Sequence, residues 1–174
     1  MGIHQIQLRY DPLADRLLLS VRSHAAELYT AWLTRRMVAR LAEPFRRAVA
    51  RLALPRDGSV PVPEAQAMLD QVARERPLKD ADFSKPFEGA QDASHPLGRD
   101  PLLPGEIDVR APPGGGLVIA LREPRGRRLE LALNDDLATA FMRLLDQALL
   151  QADWALPVPP ATPAAGEPPP QRLN

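Results

Sequence analysis

The chain has 174 residues, 45% apolar and 25% charged, with 22 basic and 22 acidic side chains and no cysteine. That size and balance suit a chain that buries its own core, and the missing cysteine excludes disulfide scaffolds, thiol catalysis and cysteine-ligated zinc or iron–sulfur centres. A net charge of zero gives no global pull toward nucleic acid or anionic membrane. The first residues lack the basic-then-apolar pattern of a secretory signal, and no stretch is apolar for long enough to span a bilayer, so a soluble cytoplasmic protein is expected. Lysine occurs only at Lys79 and Lys85 while arginine, alanine, leucine and proline abound, a usage expected of a GC-rich bacterial genome.

Taken in order, residues 6–9, 17–22 and 28–34 read as strands, a pattern whose alternation is cleanest in the later Leu129-Glu130-Leu131-Ala132-Leu133. Asp11-Pro12-Leu13-Ala14-Asp15 and Ser23-His24-Ala25-Ala26 supply the hairpin turns between them. Thr34 is an N-cap candidate for a helix over about 35–53, and Pro44 inside it predicts a kink or break near Ala42-Glu43. The segment 55–104 is rich in proline, with one short helix expected at 64–75 and irregular chain over 77–104, where Phe83, Phe87 and Leu97 are possible anchors.

The first pattern then returns at an offset of one hundred. Leu17-Leu18-Leu19-Ser20-Val21-Arg22 aligns with Leu117-Val118-Ile119-Ala120-Leu121-Arg122, and Ala31-Trp32-Leu33-Thr34 with Leu131-Ala132-Leu133-Asn134. The apolar stripe Met37, Leu41, Phe45 and Val49 falls opposite Leu137, Phe141, Leu145 and Leu149, and Ile6–Arg9 pairs with Ile107–Arg110 once one residue is removed from the turn. The expected fold is therefore α+β: two repeated β-β-β-α units of antiparallel strands with helices on one face, related by a pseudo-two-fold axis. The units cover 1–54 and 105–155, with 55–104 as a linker and 156–174 as a disordered tail whose prolines suit extended, solvated chain.

Motifs for chemistry are sparse. His4, His24 and His95 are far apart in sequence, no serine sits in a nucleophile elbow, and Gly114-Gly115-Gly116 lacks the lysine and hydroxyl of a phosphate loop and precedes a strand. Asp135-Asp136 fall at a helix start, where the amide dipoles favour negative charge, so a structural role suffices for them. No catalytic residue, metal ligand or cofactor is assigned, and the chain is read as a non-enzyme. Two features of the first unit stand out. Residues 1–54 carry nine arginines against four acids, and Arg35-Arg36 have the wrong sign for a helix N-terminus. Leu28, Thr30 and Trp32 make the outward face of the third strand apolar, where the second unit has Arg128, Glu130 and Ala132. From these, Leu28, Trp32, Arg35, Arg36, Arg40 and Arg47 form the expected interface of a protein-interaction or scaffolding module that binds a protein partner or its own copies. The alternative is a nucleic-acid or nucleotide-associated factor using Arg35, Arg36, Arg40, Arg46, Arg47 and Arg51.

Overall fold

A computed structural model describes residues 2–52, 87–88, 92–124 and 126–156. The helix expected at 64–75, the anchor Phe83 and the tail from residue 157 onward lie outside them. Strands β1 (Ile3–Asp11), β2 (Arg16–Ser23) and β3 (Leu28–Thr34) form one antiparallel sheet in that order, followed by helix α1 (Arg35–Leu52). Strands β4 (Glu106–Arg110), β5 (Leu117–Arg122) and β6 (Arg128–Leu133) form a second such sheet, followed by helix α2 (Asp135–Ala152). No helix among the described residues is long and apolar enough to cross a membrane.

The repeat holds at the level of hydrogen-bond register. Leu17 pairs with Leu33 and Leu117 with Leu133; Leu19 pairs with Ala31 and Ile119 with Leu131. Ile6 opposes Val21 and Ile107 opposes Leu121, which is the one-residue shift read from the sequence. The second hairpins also match: Ala26 and Gly126 both have positive φ, and their amides donate to the carbonyls of Ser23 and Glu123 at 3.1 and 3.0 Å. Because a side-chain period of two forbids a one-residue slip without exposing the whole apolar set, shared register means a shared core face.

That face is buried as one cluster. Leu17, Leu19, Val21 and Leu33 of the first sheet and Leu117, Ile119, Leu121 and Leu131 of the second belong to a single core, closed by Phe45 and Phe141, whose rings meet edge-to-face at 5.2 Å. The two sheets share no strand pairing; the helices join them instead, α1 contacting β3 and β4 and α2 contacting β6 and β1. Each helix thus leans on the first strand of the other unit, and the helices touch each other. At their contact Arg46 donates to Asp146 Oδ1 from Nε at 3.1 Å and from Nη2 at 2.6 Å. These residues are one repeat apart, so equivalent positions of the two units face each other.

Helix α1 does not break at Ala42-Glu43 as expected; it runs unbroken through Pro44. Proline removes the amide that would serve the Arg40 carbonyl and costs about 3 kcal/mol in a helix interior. Here Pro44 is exposed beside the stripe Met37, Leu41, Phe45 and Val49, which is buried against both sheets, and that packing holds the helix together.

The linker is more ordered near its end than its composition suggests. Ser94 and Leu102 lie along the free edge of β3 in parallel bridges: Leu28 N–H donates to the Ser94 carbonyl at 2.8 Å and Trp32 N–H to the Leu102 carbonyl at 2.7 Å. Pro96 and Pro101 lack the amides a continuous ladder needs, so two isolated bridges form instead of a fourth strand. Leu102 is fully buried beside Ala31, whose small side chain leaves the slot that Leu131 fills in the second unit. Arg127 of the second unit ties this segment down, donating to the carbonyls of Leu97 and Asp100 at 3.0 and 3.1 Å.

A second tie links the units at the end of α2. Buried Trp154 donates from Nε1 to Asp15 Oδ1 at 2.6 Å, and Tyr10 donates its hydroxyl to the same oxygen at 3.0 Å. The Trp154 bond first, and the Tyr10 bond next, hold the Asp15 carboxyl below the usual carboxylate range. A depressed folded-state pKa contributes stability that is present above the unfolded value near 3.9 and is lost as pH falls through the folded value. The thermal midpoint should therefore drop as pH is lowered below about 4, and Trp154→Phe should flatten that drop while lowering the midpoint at neutral pH. An unchanged acid limb in Trp154→Phe, followed by circular dichroism, would show that this bond does not set the acid sensitivity.

Candidate functional site

Where α1 passes β4, the two elements do not close on each other. A groove of about 740 Å³ lies between them, a size typical of ligand sites. Its helix wall is the stripe Arg36, Met37, Arg40, Leu41 and Pro44. Its other wall is residues 104–109, all six consecutively. Successive strand residues point to opposite faces, so a consecutive run brings residues of both faces to the cavity. Among the described residues that edge of β4 carries no backbone hydrogen bond to another segment, whereas the edge of β3 is covered by residues 94–102.

The chemistry of the walls follows from their sequences. Met37 and Leu41 are buried and Ile107 and Val109 half-buried, giving an apolar floor. Arg36 and Arg40 stand one helical turn apart on the rim, both exposed, and neither has a hydrogen bond or ion pair among the described residues. On the facing rim Glu106 lies 4.0 Å from Arg122, with Asp108 beside it. The helix end adds to the positive side: the first turn of α1 has no acidic residue, and Thr34 Oγ1 receives only a long bond, 3.4 Å, from Met37 N–H. In α2 the same positions hold Asp135 and Asp136, and Asn134 Oδ1 accepts from Leu137 N–H at 2.8 Å. The amide dipoles are offset by carboxylates in one helix and reinforced by guanidinium groups in the other.

The groove is also where the two units differ in build. Strand β1 has nine residues and packs on α2, while β4 has only five to face α1. Phe141 and half-buried Leu144 of α2 stand where α1 has Leu41 and exposed Pro44. The shorter strand and smaller side chains leave open in one half what is filled in the other.

The residues singled out from the sequence separate into several places. Arg36 and Arg40 line the groove. Arg35 is exposed at the start of α1, where its charge reaches Asp15, and Arg47 is exposed and paired with Glu43 at 2.9 Å. Arg46, expected among the arginines of a nucleic-acid surface, is instead buried against Asp146. Leu28 is buried and Trp32 half-buried, both on the outward face of the first sheet and outside the groove. Part of that face is crossed by the chain itself: Glu88 N–H donates to Gln5 Oε1 at 3.0 Å, and Arg22 Nη1 donates to the Glu88 carbonyl at 3.2 Å. His4 and His24 come together across the first hairpin, ring centroids 5.2 Å apart, and His95 is half-buried elsewhere. Among the described residues no group of three potential metal ligands forms. Gly114-Gly115-Gly116 makes the β4–β5 turn, with Gly115 N–H donating to the Pro112 carbonyl at 3.1 Å.

Comparison with known protein families, with curated proteins and with solved structures finds no match.

Proposed function

We propose that this chain is a protein-interaction module that holds an acidic segment of a partner protein in the groove between α1 and β4. The observation that carries the reading is the pair Arg36 and Arg40, unpaired among the described residues, on the rim of an open, apolar-floored groove at the positive end of a helix. Guanidinium groups in that setting favour carboxylates, which they bind with planar, charge-assisted hydrogen bonds. The apolar floor gives a partner side chain somewhere to be desolvated, the usual core of a protein contact. A nucleic-acid reading is less well supported because Arg46 and Arg47, two of the arginines it would use, are engaged by Asp146 and Glu43.

The test is fluorescence polarisation with an acidic peptide and with a single-stranded oligonucleotide, on the native chain and on Arg36→Glu/Arg40→Glu, at two salt concentrations. The peptide should bind, and the double reversal should weaken it by about ten-fold or more, the loss expected when two charge-assisted contacts become repulsive. Circular dichroism should be unchanged, since both side chains are exposed. Tighter binding of the oligonucleotide, with a steep salt dependence, would favour the other reading.

A further inference from the structure

We infer that the occupant of the groove is an extended peptide that adds as a strand to the open edge of β4, with carboxylates two residues apart facing Arg36 and Arg40. The inference rests on the interaction reading above and specifies its geometry. Three observations support it. First, residues 104–109 line the groove and β4 is the edge strand of its sheet, with no backbone partner on its outer side among the described residues, so an incoming strand has amides and carbonyls to pair with. Second, the walls are matched in length. From position 36 to 44, α1 advances roughly 12 Å, and five residues of strand over 105–109 span roughly 13 Å, so the site takes four or five extended residues. Third, the charge spacing fits. Arg36 and Arg40 are separated by about 6 Å along the helix axis, and side chains at i and i+2 of a strand by roughly 6.6 Å.

The apolar positions set the rest of the pattern. Beyond the two acids, the next residue on the same face reaches Leu41 and Pro44 and is apolar, while the alternate residues lie beside Glu106 and Asp108 and are uncharged or basic. The motif facing α1 is thus acid-x-acid-x-apolar. On the other sheet the chain itself meets an edge strand, where Ser94 and Leu102 make isolated parallel bridges along β3.

The probe is a fluorescein-labelled peptide, Thr-Glu-Thr-Glu-Thr-Val-Thr, titrated against the full chain. Two N-methylated versions, one methylated on the even and one on the odd residues, keep every side chain but each remove the amides of one strand edge. One version should bind about ten-fold more weakly, as expected for losing two or more main-chain hydrogen bonds, and the other should match the parent. If both methylated peptides bind like the parent while Arg36→Glu/Arg40→Glu still abolishes binding, the acidic-partner reading stands and strand addition is wrong. If the double reversal leaves the parent peptide's affinity unchanged, the groove reading itself fails. Size-exclusion chromatography of the unliganded chain supplies the remaining outcome: a dimer that Arg36→Glu/Arg40→Glu converts to monomer would make a second copy the occupant and overturn the proposal.

Discussion

Replacing Arg46 with alanine should destabilise the fold by about 3 kcal/mol, the low end of what breaking a buried ion pair costs, because Asp146 keeps some solvent. The guanidinium is 6% exposed and its partner carboxylate 18%, and both donating nitrogens reach the same oxygen. Loss of Arg46 leaves Asp146 facing the α1–α2 contact without compensation. For a chain of this size the thermal midpoint should fall by roughly 6–12 °C. Arg46→Asp should be worse, since it sets two carboxylates against each other. The exchange Arg46→Asp/Asp146→Arg should recover more than half of that loss, because the two positions are one repeat apart and sit in matching backbone surroundings. A double-mutant cycle by chemical denaturation measures this directly. An exchange no better than the sum of its single changes would show that the two positions are not equivalent.

The second large effect is expected at Gly116. Its φ of +72° lies in the left-handed region, and a Cβ built there would stand 2.3 Å from the Leu133 carbonyl oxygen and 3.3 Å from Asn134 Cα. Both neighbours are main chain at the start of α2, where Asn134 caps the helix, so neither can move without disturbing the cap. The left-handed conformation alone costs an L-residue about 1–2 kcal/mol, and the overlap adds to it, for a total of about 3 kcal/mol or more, the range of strain at a special backbone position. Gly114→Ala is the control within the same turn. It has open space and should change stability by less than about 0.5 kcal/mol. Equal midpoints for the two variants would contradict the close approach of the β4–β5 turn to the α2 N-terminus.

The repeat was legible because local rules wrote it twice: alternation marks a half-buried strand, turn residues mark a hairpin, and Thr34 and Asn134 mark helix starts. What depends on distant packing was not. Arg46 lies off the apolar stripe of its own helix, and only the approach of α2 buries it, so a single helix's periodicity assigns it to solvent. The same holds for Pro44, whose local preference to break the helix is overridden by a stripe packed on both sheets. Leu102 had a faint signal, since Ala31 is small where its repeat partner Leu131 is large, but nothing local says that a proline-flanked leucine seventy residues later fills the gap. Arg36 stands out in the sequence for its unfavourable sign at a helix N-terminus, and Arg40 as an arginine off the apolar stripe of the same helix. Their neighbour in the groove, β4, was hidden because the pairing of each helix with the other unit's first strand is a property of the assembled core.

Binding at the groove is tested most directly by nuclear magnetic resonance mapping of the full chain with the acidic peptide. Amide shifts should move at Gly105, Glu106, Ile107, Asp108 and Val109 and along α1 from Arg36 to Leu41, with the outer face of the first sheet undisturbed. Shifts centred on Leu28 and Trp32, with residues 105–109 unmoved, would contradict the groove as the binding site and return the interface to the outward face of β3.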